Sequence, residues 1–190
     1  MMEEWYSGLA AAALIPALAG LAKVLISKAL ESKTKEVIST DEEGRTEIVV
    51  VRATAGPAEI RERIDEAYSF ESEIAGALKS LEGMNLALKM HPARQVDFII
   101  EMPKGKLALE VKLALDRVDV KAMERYFTAE KNLSHLLLVS RSQPSQRLME
   151  SIKAYVNEGQ VSLLTIPKGS DAGPLIEGTV KQIAADASGA

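Results

Sequence analysis

The chain contains no cysteine, which excludes disulfide bridges and thiolate metal sites. It has 2 histidines, His91 and His135, too few for a multi-histidine zinc centre. Aromatic residues are scarce, with 3 Phe, 4 Tyr and 1 Trp, so the core must be mainly aliphatic. There is no excess of basic charge: 23 Lys and Arg stand against 27 Asp and Glu, for a net charge of −4. A broad basic surface for nucleic acid is therefore absent from the composition, although a local one is compatible with it. What is present is enough for a core, since 47% of the 190 residues are hydrophobic and 26% are charged. That length and balance describe one globular domain with appendages rather than a disordered chain. With thiolate and imidazole lacking, any metal would be a hard cation held by carboxylate oxygen.

The longest charge-free run is at the N-terminus, from Trp5 to Ala22. It is close to the roughly 20 apolar residues that carry a helix across a bilayer. Trp5 and Tyr6 stand where interfacial aromatics belong. Glu3 and Glu4 precede the run, and Lys23, Lys28, Lys33 and Lys35 follow it. By the positive-inside rule the C-terminal side faces the cytoplasm. The expectation is an N-terminal helix over 1–30 that anchors the protein in the cell membrane by a single pass. Two other readings stay open. Ala17-Leu-Ala19 resembles a signal-peptide cleavage site, but the preceding acidic residues and the lysines that follow fit a signal poorly. A soluble cytoplasmic protein with a buried or oligomerising helix, kinked at Pro16, is the third reading.

After the run, 31–56 reads as a linker and a β-hairpin. Lys35 to Thr40 and Arg45 to Ala53 are strands, and Asp41 to Gly44 is the turn. Three consecutive valines, Val49 to Val51, point to burial on both faces or to an interface. Pro57 suits the first turn of a helix. Apolar residues at Ile60, Ile64, Ala67, Phe70, Ile74, Leu78 and Leu81 predict an amphipathic helix to about Glu82, with a break near Ser69. Gly83 ends it, and Met84 to Met90 reads as a strand. Asp119 caps a helix to about Lys131 with Val120, Met123 and Phe127 inward. His135 to Ser140 is a continuously apolar strand, covered on both faces. Ser142 and Pro144 open a helix carrying Leu148, Ile152, Tyr155 and Val156, which Gly159 stops. Val161 to Ile166 is a second buried strand. A tail over 168–190 holds a short helix around Leu175 to Ala184 and then frays. The order over 57–167 is α, β, β, β, α, β, α, β, which implies an α/β domain with three layers and a central mixed sheet.

Charge falls oddly in the middle strands. Val96 to Met102 and Lys106 to Leu113 flank a Pro-Lys-Gly turn, and both are apolar except for Asp97, Glu101, Lys106, Glu110 and Lys112. Side chains alternate across a strand, so Glu110 and Lys112 share one face with Ala108. If Glu101 pairs with Lys106, Asp97 stands opposite Glu110; if Pro103 does, Asp97 faces Lys112. Both registers put the three charged groups on one face. Two carboxylates held so close repel each other unless a proton or a cation intervenes. A divalent ion resolves the repulsion, and it would polarise a phosphate and acidify a water. Lys112 could then position the water or offset charge on a pentavalent phosphate. The plainer alternative is a cross-strand ion pair on a wet sheet face.

Asp97, then Glu110-Val111-Lys112, followed by helix, buried strand, helix and strand, resembles the PD-(D/E)XK superfamily, whose core is the restriction-endonuclease-like fold. The likeness is nearest to the Mrr-type and archaeal Holliday-junction-resolvase-type branches and covers about Ala67 to Ile166. Members carry a further glutamate on the helix before the sheet, and Phe70-Glu71 followed by Ile74, Leu78 and Leu81 resembles that helix. The resemblance makes Glu71 the third carboxylate, with Glu73 as the fallback. Val96 stands where the name-giving proline would be, and the Mrr type commonly has glutamine in the place of Glu110. The implied activity is hydrolysis of DNA phosphodiester bonds, dependent on Mg2+ or Mn2+. Glu71, Asp97 and Glu110 would hold the metal, and Lys112 would complete the catalytic set. A nuclease fold that has lost activity and only binds or scaffolds is the alternative function. The partners expected are DNA, the membrane through the N-terminal helix, and a second copy of the chain. Lys121 and Arg125 could meet phosphates but read first as a salt-bridged surface beside Glu124 and Glu130, and His135 reads as structural.

Overall fold

The computed structural model describes residues 25–27, 34–40, 46–81, 87–90, 96–102, 104–115, 118 and 120–189. The chain divides into two units, Met1–Tyr68 and Ser69–Ala190, and the division falls within a helix instead of at Gly56. The anchor run from Trp5 to Ala22, the hairpin turn at Asp41 to Gly44, and Gly83, His91, Gln95 and Asp119 lie outside the described residues. Among the described residues no helix is long and apolar enough to cross a membrane.

In the first unit, strands β1 (Leu25–Ser27), β2 (Thr34–Thr40) and β3 (Thr46–Arg52) form an antiparallel sheet in that order. The expected hairpin is therefore present, with Thr40 opposite Thr46. Leu25–Ser27 corrects the reading of 1–30 as a helix throughout, because its residues pair with Glu36 to Ile38. The valine run is also not buried throughout. Val49 and Val51 are buried, but Val50 is half-buried and Ile48 exposed, so one sheet face stays open. Helix α1 (Pro57–Lys79) opens on Pro57 as expected. It is continuous through Ser69, and the expected break is absent. A helix needs glycine, proline or an inserted side chain to kink, and the sequence from Tyr68 to Phe70 offers none of these. Ile60, Ile64 and Ala67 are buried within the first unit, and the Tyr68 hydroxyl donates to the Ser39 carbonyl at 3.4 Å.

The second unit is built on a five-stranded mixed sheet, ordered β4 (Ala87–Met90), β5 (Phe98–Met102), β6 (Gly105–Lys112), β7 (Leu133–Ser140), β8 (Val161–Thr165). β4, β5 and β6 run antiparallel, whereas β6, β7 and β8 are parallel. Parallel neighbours need a crossover, which α2 (Val120–Ala129) and α3 (Gln146–Asn157) supply. The α/β class with a mixed sheet is thus as the sequence implied. Gly105 turns the chain into β6 at φ 120, where a Cβ would lie 2.9 Å from Ser134 Oγ and 3.0 Å from the Asn132 carbonyl. Only glycine tolerates that combination. Its tight turn sets Met102 opposite Gly105 and Glu101 opposite Lys106, the first of the two registers considered above.

One sheet face carries Ile99, Ala108, Leu136, Leu138 and Val161, packed with Met123 of α2 and Leu148 and Ile152 of α3. Phe98, Ile100, Leu107, Leu109, Val111, Leu137 and Val139 point to the other face and are equally buried. Each such side chain contributes roughly 1.5–3 kcal/mol by leaving water. The other buried helical stripes of this unit are Phe70, Ile74 and Leu78 on α1, and Ile176, Val180 and Ile183 on α4 (Ala172–Gly189). Helix α4 corrects the frayed tail, since its apolar residues recur at four- and three-residue steps despite the glycines. Ser145 is the cap of α3, its hydroxyl accepting from Leu148 N at 3.3 Å. β8 is an edge strand, half-buried along Ser162 to Thr165, instead of covered on both faces.

Candidate active site

Beyond Ala108 and Leu138 the apolar sheet face gives way to charge. Glu110 and Lys112 continue the face of Ala108, and their register partners on β7 are Leu138 and Ser140. Asp97 immediately precedes β5, on the same face as Ile99. Its backbone N–H donates to the Leu109 carbonyl at 3.1 Å. Its Oδ2 accepts from Val111 N at 2.6 Å and from Lys112 Nζ at 3.3 Å. The Asp97 carboxylate therefore takes a β6 amide and fixes its own position against that strand. Lys112 Nζ also lies 3.2 Å from Glu110 Oε1, so one ammonium serves two carboxylates.

The pocket of charge is nearly dry: Asp97, Glu110 and Lys112 side chains are 17%, 13% and 19% exposed. Burial pushes the Glu110 carboxyl up to about 7. The Lys112 charge opposes that shift, while the charges of Asp97 and Glu71 add to it. Glu71, buried on α1, thus belongs to the same electrostatic neighbourhood. Glu73 is engaged elsewhere, in an ion pair with Arg141 Nη2. Tyr126 of α2 packs against the sheet core, and burial, followed by the Glu110 charge, raises its hydroxyl to about 12. The sequence reading missed Tyr126. The signal was there, because it sits three residues after buried Met123 and so shares the inward stripe.

Among the described residues, no group of three or more His, Cys, Asp or Glu is arranged to hold a metal ion. Asp97 and Glu110 converge on Lys112, and Glu71 adds its charge without completing such a group. The donor chemistry fits a hard dication nonetheless, because the three acids offer oxygen alone. His135 is structural, its Nε2 lying 3.0 Å from Ser162 Oγ, and burial lowers its pKa. Glu124 accepts from Tyr155 OH at 2.9 Å and Glu130 pairs with Lys106 at 3.3 Å, so these acids serve the surface around α2. No protein-family model matches the chain, and no curated protein matches it.

Proposed function

We propose that the protein is a metal-dependent nuclease of the PD-(D/E)XK kind, with a restriction-endonuclease-like core in three layers. The observation that carries this is the convergence of Asp97 and Glu110 on Lys112 at the charged end of an otherwise apolar sheet face. The strand order and mixed directions around β6 support the same reading. Asp97, Glu110 and Glu71 would hold Mg2+ or Mn2+. When bound, that ion would supply Lewis-acid polarisation of a phosphate oxygen and a more acidic water. Glu110 must lose its proton to serve as a ligand, so loading and activity rise with pH through about 7. Asp97, held by Val111 N, presents a carboxylate that does not have to reorganise. Lys112, released from its double ion pair by the entering cation, would orient the attacking water or hydrogen-bond the charge that develops on phosphorus.

The substrate proposed is DNA. The N-terminal run would anchor the protein by a single pass with the nuclease unit in the cytoplasm, where DNA is reached. The test is Mg2+-dependent cleavage of supercoiled plasmid by the wild type and by Asp97→Ala, with partitioning of the full chain between membrane and soluble fractions. Cleavage that survives Asp97→Ala removes the mechanism. A soluble full chain removes the anchor.

One observation favours a second reading. The Lys112 ammonium already pairs with the two nearest carboxylates, as it would in a nuclease fold that only binds or scaffolds. That reading expects no cleavage and no heat on titration with Mn2+.

A further inference from the structure

Arg141 follows directly on Ser140, the last residue of β7 and the register partner of Lys112. Its guanidinium lies over the Phe70 ring, 4.0 Å from the centroid, and its Nη2 pairs with Glu73. Nη1 is 3.4 Å from the carbonyls of Ile166 and Pro167, just past β8. Its Nε is buried with no hydrogen-bond partner among the described residues, a cost that the ring and the ion pair must offset. One side chain thus ties the ends of two parallel strands to a single turn of α1. The two residues it grips, Phe70 and Glu73, bracket Glu71. Contacts at both positions tie that turn of α1, with Glu71 between them, to the end of β7.

We infer that Arg141 is a positioning residue, which holds Glu71 toward Asp97 and Glu110 by clamping Phe70 and Glu73 against the end of β7. The inference deepens the metal-dependent reading above and rests on it. It also assigns the two helix glutamates different jobs: Glu71 is a ligand, and Glu73 is the anchor for the clamp. Arginine suits this place better than lysine, because a planar guanidinium stacks on a ring and pairs with a carboxylate at once.

The experiment is calorimetric titration with Mn2+ alone of the full-length wild type, Arg141→Lys, Arg141→Ala, Glu73→Gln and the double variant Glu73→Gln/Arg141→Ala. Circular dichroism identifies the variants that are folded. Loss of an outer partner typically weakens a metal site by about 10–100-fold. Arg141→Ala and Glu73→Gln should therefore each weaken Mn2+ about tenfold. The double variant should be no weaker than either single one, because both changes undo the same clamp. Arg141→Lys, which keeps the ion pair and loses the stack, should fall between wild type and Arg141→Ala. Should Arg141→Ala not fold, Arg141→Lys and Glu73→Gln decide the matter. A merely structural Arg141 would lower the melting temperature and leave Mn2+ affinity of the folded variants unchanged, which overturns the inference. Tighter Mn2+ binding in Arg141→Lys or Arg141→Ala also overturns it, because Glu73 would then be the ligand that Arg141 holds back. Absence of Mn2+ heat in the wild type overturns the metal-dependent reading itself and this inference with it.

Discussion

The second unit holds two clusters of the same raw materials, acid and base at a sheet end, that are put together differently. At Arg141 one carboxylate meets one guanidinium, and an aromatic ring covers the cation. At Lys112 two carboxylates share one ammonium, with the Glu71 charge acting on the same place. The first cluster is balanced and reads as an anchor. In the second, two acids share one lysine, and burial first, with the Asp97 and Glu71 charges adding to it and Lys112 opposing it, raises the Glu110 carboxyl. A surplus of buried negative charge is a reason to bind a cation or a proton, whereas a balanced pair is a reason to stay put.

The sharpest way to break the comparison is to remove each base in turn. Lys112→Ala leaves two acids with no ammonium between them and should destabilise the fold by about 2–3 kcal/mol at pH 8. At pH 5 the loss should shrink, because Glu110 is then protonated. Arg141→Ala should lose about 1–2 kcal/mol, Glu73 being 35% exposed and its pairing screened, with little change between the two pH values. Urea denaturation of both variants at pH 5 and 8 measures the difference. Equal pH dependence would erase the distinction between the clusters.

Glu110→Gln sharpens it further. In the wild type the folded state keeps a proton on Glu110 that the unfolded chain releases near 4.5. That contribution is fully present below 4.5 and is lost as pH rises through about 7. The glutamine variant should lack this decline and be more stable than wild type at pH 8 by about 3 kcal/mol. Denaturation midpoints across pH 4–8 check it, and an unaltered slope would show that Glu110 is ordinary. His135 gives the smallest effect, with the opposite sign. Its lowered pKa means that the unfolded chain takes up a proton first, so stability falls as pH drops below about 6.5. His135→Gln should remove that acid-side loss in the same titration and leave the Glu110 decline intact.

Much of this was legible along the chain. Alternation in β5 and β6, together with the short turn before Gly105, is enough to put Asp97, Glu110 and Lys112 on one face. The apolar run of β7 announced a strand covered on both sides, and Leu136 to Val139 are fully buried. The misses have a common origin. The C-terminal helix was expected only around Leu175 to Ala184, and its full extent from Ala172 to Gly189 was hidden because glycines such as Gly173 weaken local propensity, while burial of Ile176 and Val180, a tertiary gain, overrides it. The edge position of β8 was hidden because a half-buried and a central strand share the same short apolar pattern.

The sequence by itself determined the α/β class, the order of elements in the second unit and which carboxylates share a strand face, since periodicity and alternation act over a few residues. Only the tertiary structure decided that Lys112 answers two acids at once, that Asp97 takes the Val111 amide, and that Glu73 belongs to Arg141 while Glu71 acts on Glu110. These depend on distances between groups remote along the chain. Such distances are fixed by how helices settle on the sheet, and no local pattern encodes them.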